Sequence, residues 1–269
     1  MHLTRIAPTP SGYLHLGNLY NFLLIQEKAQ AHRLAILLRI DDMDKERVRN
    51  EYISDVFETH AFFKIPYQLG PTNSTDFIQF HSQHHRLPLY EQALNALKEN
   101  ALVYACTCSR SEMQQTAAAC ACQHKNLPLS TPQAAWRLKK SPNHPITFHA
   151  ETGKQTFPFP QHLRDVVVRL KNGRPAYQLA SLVDDVHYGV DFIVRGDDLL
   201  PSTLVQLWLA ELLGYSGFSK TVFHHHALLK LPNGEKLSKS AGDTSLRALI
   251  KNGLTAEAIR AHLNSLYPF

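Results

Sequence analysis

The first forty residues contain the pattern that most restricts the fold, because two apolar segments flank one long periodic segment. Residues 3–7 predict a short strand, and residues 17–31 have the apolar spacing of a helix. Residues 34–40 are apolar without alternation, as in a strand buried on both faces of a parallel sheet. We therefore expect a right-handed β-α-β unit at the start of an α/β fold with a parallel sheet.

The turn between the first strand and this helix has an unusual composition. Pro8 and Pro10 end strand pairing, and Gly12 permits a tight turn. The helix N-terminus then follows at once, with His15 and Gly17 close to it. Unpaired backbone N–H groups at such a position bind anions, so we expect an anion site here.

Length, composition and charge narrow the function classes. The chain has 269 residues, of which 44% are hydrophobic and 19% charged, as in a globular protein. No apolar run approaches the roughly 20 residues that cross a bilayer, and no signal peptide opens the sequence, so we expect a cytoplasmic protein without a membrane partner. A net charge of +5 favours a polyanionic partner, although only weakly.

All four cysteines lie close together in two C-x-C pairs, a spacing that favours a metal over disulfides. Four thiolates can surround one tetrahedral Zn²⁺ ion, which would be structural because no ligand position stays open. The ligands would be Cys106, Cys108, Cys120 and Cys122. Buried free thiols and a lost metal site are the alternatives.

The rest of the chain predicts further strands and helices. Strands are expected at residues 103–105, 135–138, 166–170, 190–195 and 222–224. Helices are expected at about residues 50–63, 87–100, 202–213, 244–250 and 255–266. Residues 176–188 fit either a strand or a helix, and Ser202 or Thr203 is the expected N-cap of the helix that follows.

Two stretches resemble the signatures of class I aminoacyl-tRNA synthetases. Residues 5–18, RIAPTPSGYLHLGN, are similar to the HIGH signature in its glutamyl-tRNA synthetase form. Residues 236–240, KLSKS, resemble the KMSKS loop, whose ammonium groups meet the charge of departing pyrophosphate; taken alone, they also fit a basic surface turn. By this resemblance the chain is identified as a member of the glutamyl-tRNA synthetase family, which implies a Rossmann-like (HUP-type) catalytic domain.

The resemblance also implies ATP with Mg²⁺ as the cofactor, and it implies roles for individual residues. The implied catalytic residues are His15, Lys236 and Lys239. The implied ATP-binding residues are Pro8, His15, Gly17, Asn18, Lys236, Ser238 and Lys239. The implied glutamate-binding residues are Arg5, Ala7, Thr9, Asp41, Tyr177 and Arg195.

The glutamate set carries the substrate prediction. Arg5 matches the arginine that pairs with a carboxylate, and a second arginine, Arg195, suggests an acidic ligand side chain. Asp41 stands where the family has Glu and would hold the α-amino group. The alternatives are an ion pair of Arg195 with a neighbouring aspartate and a solvated acidic turn at Asp41, Asp42 and Asp44.

The resemblance implies a division of the chain. Residues 1–100 and 166–243 would be the halves of the catalytic domain, 101–165 a zinc-containing insertion of the acceptor-stem type, and 244–269 short C-terminal helices. The anticodon-binding part of the family is expected to be absent, as in the truncated paralogue that joins glutamate to queuosine at the wobble position of tRNA(Asp).

This paralogue type implies L-glutamate and tRNA as partners, with the tRNA(Asp) anticodon loop at the site, and a monomer. Basic residues of the insertion and its return could contact RNA phosphates or form a solvated face. They are Arg110, Arg137, Lys139, Lys140, Arg164, Arg169, Lys171 and Arg174. Two other functions stay open: a glutamate ligase for a small molecule or a carrier protein, and a non-catalytic RNA-binding relic.

Overall fold

The computed structural model describes residues 2–109, 111–112, 120–139, 141–160, 163, 165–229 and 245–267, without the side chain of residue 266. The strands in this part of the chain are β1 (Leu3–Ile6), β2 (Ala35–Leu38), β3 (Val103–Cys106), β4 (Ala135–Leu138), β5 (Ile146–Ala150), β6 (Gly153–Phe157), β7 (Val167–Arg169), β8 (Phe192–Gly196) and β9 (Val222–His226). The longer helices are α1 (Leu16–His32), α2 (Asn50–Phe62), α3 (Leu87–Glu99), α4 (Tyr177–Tyr188), α5 (Leu200–Leu212), α6 (Leu246–Lys251) and α7 (Ala256–Leu266). Shorter turns are helical at Ser74–Asp76, Gln83–Arg86, Ala121–His124, Asp197–Leu199 and Phe218–Lys220, and Phe77–His81 form a π-helix.

The chain divides into two compact units. The first contains Met1–His85, Val190–Asp198 and His224–Phe269, and the second contains Arg86–Gly189 and Leu199–Phe223. Among the described residues, none of the helices combines the length and apolarity needed to cross a bilayer.

The first unit is built on the predicted β-α-β arrangement. β1 and β2 pair in parallel, from Leu3 opposite Ala35 to Ile6 opposite Leu38, with α1 as their connection. β8 follows the other side of β1, where the Asp191 amide donates to the Leu3 carbonyl oxygen at 3.0 Å. The parallel α/β prediction is therefore confirmed.

A tight loop fixes the outer side of β2. The Leu38 amide donates to the carbonyl oxygen of Leu69 at 2.9 Å. The next residue, Gly70, has a φ of +107°, and a Cβ there would lie 2.1 Å from the Leu38 carbonyl oxygen. Only glycine tolerates both this dihedral and this approach, which explains the glycine in the loop beside β2.

The second unit contains two further sheets. β3, β4 and β7 form an antiparallel sheet in that order. β5 and β6 form an antiparallel hairpin, and β5 also pairs in parallel with the start of β9, where His149 lies opposite Val222. The sequence pattern of residues 146–157 does not predict this hairpin.

Helix α4 resolves the strand-or-helix alternative for residues 176–188 in favour of a helix. Its Asp184 is fully buried and accepts from Arg86 Nε at 2.7 Å, from Arg86 Nη2 at 3.1 Å and from the Tyr90 hydroxyl at 2.6 Å. A buried carboxylate needs such partners, and they hold α4 against α3.

The predicted N-cap of α5 is wrong. The helix begins at Leu200, its N-cap is Leu199, and Pro201 occupies the first turn, where a missing N–H has no cost. The Ser202 hydroxyl instead accepts from Gln178 Nε2 at 3.0 Å, and the Thr203 hydroxyl donates to the Leu199 carbonyl oxygen at 3.3 Å.

Candidate active site

The first signature forms the start of α1, with His15 as the N-cap residue. Its Nδ1 accepts from the Gly17 amide at 3.1 Å, and its own amide donates to Asn18 Oδ1 at 3.1 Å. The Asn18 amide is also paired, with the His15 carbonyl oxygen at 2.9 Å. The expectation of unpaired N–H groups is therefore wrong for the amides of His15, Gly17 and Asn18. The reciprocal capping box at the start of α1 satisfies them.

Gly17 has a steric role that the sequence did not reveal. A Cβ at this position would lie 2.9 Å from His15 Cε1 and 3.0 Å from its Nδ1. Real Cβ atoms do not approach so closely, so any larger residue would displace the imidazole. The glycine and the histidine of the signature thus depend on each other.

The second signature, including Lys236, Ser238 and Lys239, lies outside the described residues. The chain on either side of it contacts α1 or the residues just before this helix. Before it, His226 accepts through Nε2 from Asn21 Nδ2 at 3.0 Å on α1. After it, Ser245 forms an antiparallel bridge with His15, and the Leu246 amide donates to the Leu14 carbonyl oxygen at 2.9 Å. The fold therefore brings both flanks of the second signature to the start of α1.

His226 is held as a neutral ring. Its Nδ1 donates to the Ala227 carbonyl oxygen at 2.9 Å, and the ring meets Tyr20 edge to face at a centroid distance of 5.2 Å. Burial, above all, lowers its pKa. The neutral tautomer leaves Nε2 as the acceptor for Asn21.

The two predicted pocket arginines lie on neighbouring strands of the first unit. Arg5 on β1 and Arg195 on β8 are both buried, and Arg5 Nη1 donates to the carbonyl oxygen of Val194 at 3.3 Å. Nearby, burial and then the charge of Arg195 lower the pKa of His225 to about 4, so this ring is neutral near pH 7. Two buried guanidinium groups therefore lie on adjacent strands.

The chain segments that follow β1 and β2 contain further predicted site residues and remain side by side. The Asp41 amide donates to the Pro8 carbonyl oxygen at 2.9 Å, so the two chains stay adjacent beyond the strand ends. Ala7 is half-buried and Thr9 is exposed. Tyr177 belongs to the second unit, where it is the first residue of α4 and is exposed.

Asp41 is already engaged by a neighbour. Arg39 Nε donates to its Oδ1 at 2.7 Å and Arg39 Nη2 to its Oδ2 at 3.1 Å. The two side chains are only 2% and 8% exposed. This bidentate, buried pair keeps the carboxylate in one orientation.

Asp42 has a structural function. It is buried and accepts from the Ser82 hydroxyl at 2.5 Å and the Gln83 amide at 2.7 Å. The alternative of a solvated acidic turn is therefore wrong for Asp41 and Asp42, whereas Asp44 is exposed as that alternative requires.

The four cysteines form one cluster in the second unit. Their sulfur atoms lie within 4.8 Å of one another. Cys120 Sγ is 3.5 Å from that of Cys106 and 3.7 Å from that of Cys108, which is 3.5 Å from that of Cys122. Four sulfurs about 2.3 Å from a tetrahedral ion would be about 3.8 Å apart. The cluster has the donors and spacing to hold a metal ion.

Asp165, which no sequence motif marks, supports this cluster. Its Oδ2 accepts from the Cys120 amide at 3.0 Å, and its Oδ1 accepts from the Tyr104 hydroxyl at 2.7 Å. Its carbonyl oxygen accepts from Arg137 Nη1 at 2.8 Å. A single D in a polar stretch gives no signal of such a role, because the partners come from distant positions.

Several of the basic residues that are candidates for RNA contacts make internal contacts. The Arg169 guanidinium lies over the Trp136 ring at 5.0 Å, and Lys171 Nζ donates to the Thr107 carbonyl oxygen at 2.6 Å. Arg110, Lys140 and Arg164 lie outside the described residues.

Sequence comparisons show the family. Residues 2–266 match the family model "tRNA synthetases class I (E and Q), catalytic domain". The chain is 30% identical to the glutamyl-Q tRNA(Asp) synthetase of Rhodobacter capsulatus over 96% of this chain and 98% of the relative. It is 34% identical to the Pseudomonas putida protein of the same name, over 97% and 84%.

The solved structures show the same fold. A glutamate-tRNA synthetase from Elizabethkingia anophelis superposes with a TM-score of 0.72 at 23% identity, covering 94% of this chain. The chain spans about half of that protein, 54% of its length. Because the match begins at the first strand and ends in the last helix, the chain belongs to the class I tRNA synthetases of the E and Q group and is a ligase.

Proposed function

We propose that the chain activates L-glutamate with Mg²⁺-ATP and transfers it to queuosine at the wobble position of tRNA(Asp). The observation that carries this proposal is the pair of buried arginines, Arg5 and Arg195, on the strands beside the first signature. Buried guanidinium groups bind carboxylates in two parallel hydrogen bonds. The names of the relatives supply the tRNA and the acceptor base.

Activation needs positioning and charge stabilisation but no protein nucleophile. A carboxylate oxygen of glutamate attacks the α-phosphorus of ATP, the new O–P bond forms, and the bond to pyrophosphate breaks. His15 is proposed to contact the phosphates at the start of α1. Lys236 and Lys239 would neutralise the charge that develops on pyrophosphate, where stabilisation lowers the barrier.

Asp41 is proposed to bind the α-ammonium group through its carboxylate, which Arg39 holds in place. Each carboxylate oxygen has a second lone pair after accepting from Arg39, so the pair can accept a further N–H. Arg39 favours the ionised carboxylate at this buried site. Arg39 thereby fixes the carboxylate of Asp41, which is one methylene shorter than the glutamate of the family.

Transfer uses the adenylate as the activated species. A hydroxyl of the acceptor attacks the glutamyl carbonyl carbon, the ester bond forms, AMP leaves, and the hydroxyl proton is released. Lysine and arginine side chains of the second unit, including those of the proposed insertion at residues 101–165, would contact RNA phosphates. The cysteine cluster is proposed to bind a structural Zn²⁺ ion that keeps this segment folded.

ATP–pyrophosphate exchange tests the substrate. Glutamate should support exchange far better than glutamine or aspartate, because a neutral amide would leave a buried guanidinium under-paired. The assay compares the three amino acids at equal concentration. Equal exchange with glutamine would refute the acidic-pocket interpretation.

Labelled glutamate tests the acceptor. Label should enter tRNA(Asp) that contains queuosine and not the same tRNA without it. Glutamate activation without transfer to either tRNA would favour a ligase for a small molecule or a carrier protein. Failure to activate any amino acid would favour the RNA-binding relic.

A further inference from the structure

Asp55 of α2 contacts the first signature through the backbone. It is buried, at 3% exposure, and its Oδ2 accepts from the Leu14 amide at 2.8 Å. Leu14 directly precedes the N-cap residue His15. A buried carboxylate with a buried amide is a strong, charge-assisted contact, so it fixes the backbone just before the histidine.

The other polar group of Leu14 is fixed from a different direction. Its carbonyl oxygen accepts from the Leu246 amide at 2.9 Å, at the start of α6. The Leu14 side chain is itself only 3% exposed. With its side chain buried and both backbone groups bonded, Leu14 has little freedom to shift, and neither does the residue that follows.

Tyr13, the residue before Leu14, is also held by side chains of α2 and α6. Its ring meets Tyr52 edge to face at a centroid distance of 5.0 Å, and the Arg247 guanidinium lies over it at 4.9 Å. Tyr52 and Asp55 are three residues apart on α2 and therefore share one helix face. The same face of α2 and the start of α6 thus hold consecutive residues of the signature.

We propose that Asp55 is a positioning residue that aims the His15 imidazole by anchoring the Leu14 amide. This inference rests on the proposed function, since it assigns Asp55 to the activation step. His15 itself has no freedom to compensate, because its ring is bonded to the Gly17 amide. A loss of the Asp55 contact would therefore move the ring relative to the phosphates.

The groups around Asp55 act on its pKa in opposite directions. Burial raises its pKa, while the Leu14 amide and the nearby Arg247 oppose that rise. Glu58, one turn further along α2, is exposed and adds to the rise. Asp55 faces the signature and Glu58 faces solvent, which makes Glu58 a matched control on the same helix.

The experiment compares Asp55→Leu, Asp55→Asn and the control Glu58→Gln. Asp55→Leu should lower kcat for glutamate-dependent pyrophosphate exchange about 10- to 100-fold with an unchanged KM for glutamate, because it misplaces a catalytic group. Asp55→Asn, whose amide oxygen can still accept from Leu14, should recover most of kcat. In the His15→Ala background, Asp55→Leu should have almost no further effect, since both act through one ring.

Amide hydrogen exchange gives a second readout that needs no activity. Residues 13–17 should exchange faster in Asp55→Leu than in the wild type or in Glu58→Gln, and urea unfolding checks that the variant is folded. Equal kcat losses in the leucine and asparagine variants, additive losses with His15→Ala, or unchanged exchange at residues 13–17 would each overturn the assignment. A wild type without glutamate-dependent exchange would refute the proposed function, and hydrogen exchange alone would then decide whether Asp55 anchors the loop.

Discussion

Residues of the first signature depend on contacts within the signature and on contacts with residues outside it. His15 caps α1 through the Gly17 amide, and Asp55 holds the residue before it. Asp41 likewise acts as a pair with Arg39. The orientation of each functional side chain at this site therefore depends on the neighbouring residue that bonds to it or to the backbone beside it.

Gly17→Ala should disturb His15 while leaving the fold intact. The new Cβ would force the ring away and break its bond to the amide, since the clash is with His15 itself. We expect adenylate formation to fall about tenfold, or about 1.4 kcal/mol. Alanine in a helix is favoured over glycine by about 1 kcal/mol, so the free energy of unfolding should not fall.

The matched control is Gly217→Ala. Gly217 has a φ of −63°, and no atom of the described residues lies within 4 Å of its added Cβ. Single-turnover adenylate formation should be unaffected there. Full activity in Gly17→Ala would show that the close contact with His15 has no functional weight.

At the scale of elements, some are fixed by contacts within their own turn and others by residues distant in the sequence. The first turn of α1 caps itself, but β3 and the turn at Ala121–His124 come together through the cysteine cluster and Asp165. A cluster of four thiols with this spacing would gain stability from a bound metal ion.

Purified protein should contain about one zinc ion per chain with sulfur-only coordination. Cys120→Ser should release it and raise proteolysis within residues 106–122. Asp165→Asn, which keeps the ligands, should weaken binding about 10- to 100-fold. Glutamate activation should persist in both variants, since the first signature belongs to the other unit.

Zinc content by elemental analysis and cleavage by a protease measure these effects. Asp44→Asn, in an exposed turn, is the control for the loss of a carboxylate. A metal-free protein from a zinc-replete preparation would contradict the prediction, as would loss of activation in a folded Cys120→Ser variant.

At the scale of the whole molecule, buried histidines link folding to pH. His60 is 4% exposed and packs against Phe22 and Tyr67. Its Nδ1 donates to the Ile65 carbonyl oxygen at 3.2 Å, and no partner of its Nε2 occurs among the described residues. Burial lowers its pKa to about 4.

Acid should therefore destabilise the fold in a defined window. The unfolded chain binds a proton at His60 near pH 6.5, whereas the folded chain does so only near pH 4. Stability is retained above the upper value and falls as the pH decreases between the two, by about 3 kcal/mol. Urea unfolding across this range should show the loss.

His60→Phe should flatten this dependence even if it changes stability at pH 7. The exposed His262→Gln is the control and should leave the slope unchanged. An identical slope in wild type and His60→Phe would mean that other groups cause the acid effect.

The sequence by itself determined the β-α-β start, the signatures and the cysteine grouping. Each depends on residues close together in the chain: the apolar run of β2, the glycine after the N-cap, the C-x-C pairs. Such patterns reflect local dihedral preferences and periodic burial, which neighbouring residues suffice to express. The hairpin of β5 and β6 was missed because its short alternating segments carry a weak local signal.

Only the tertiary structure decided which distant residues meet. Asp55 lies 41 positions from Leu14, and Asp165 lies 45 from Cys120. Asp41 and Asp42 look alike in sequence, yet one pairs with Arg39 and the other anchors the turn at Ser82. Partners of this kind are selected by the fold that buries them, since a buried polar group must find its hydrogen bonds wherever the chain returns.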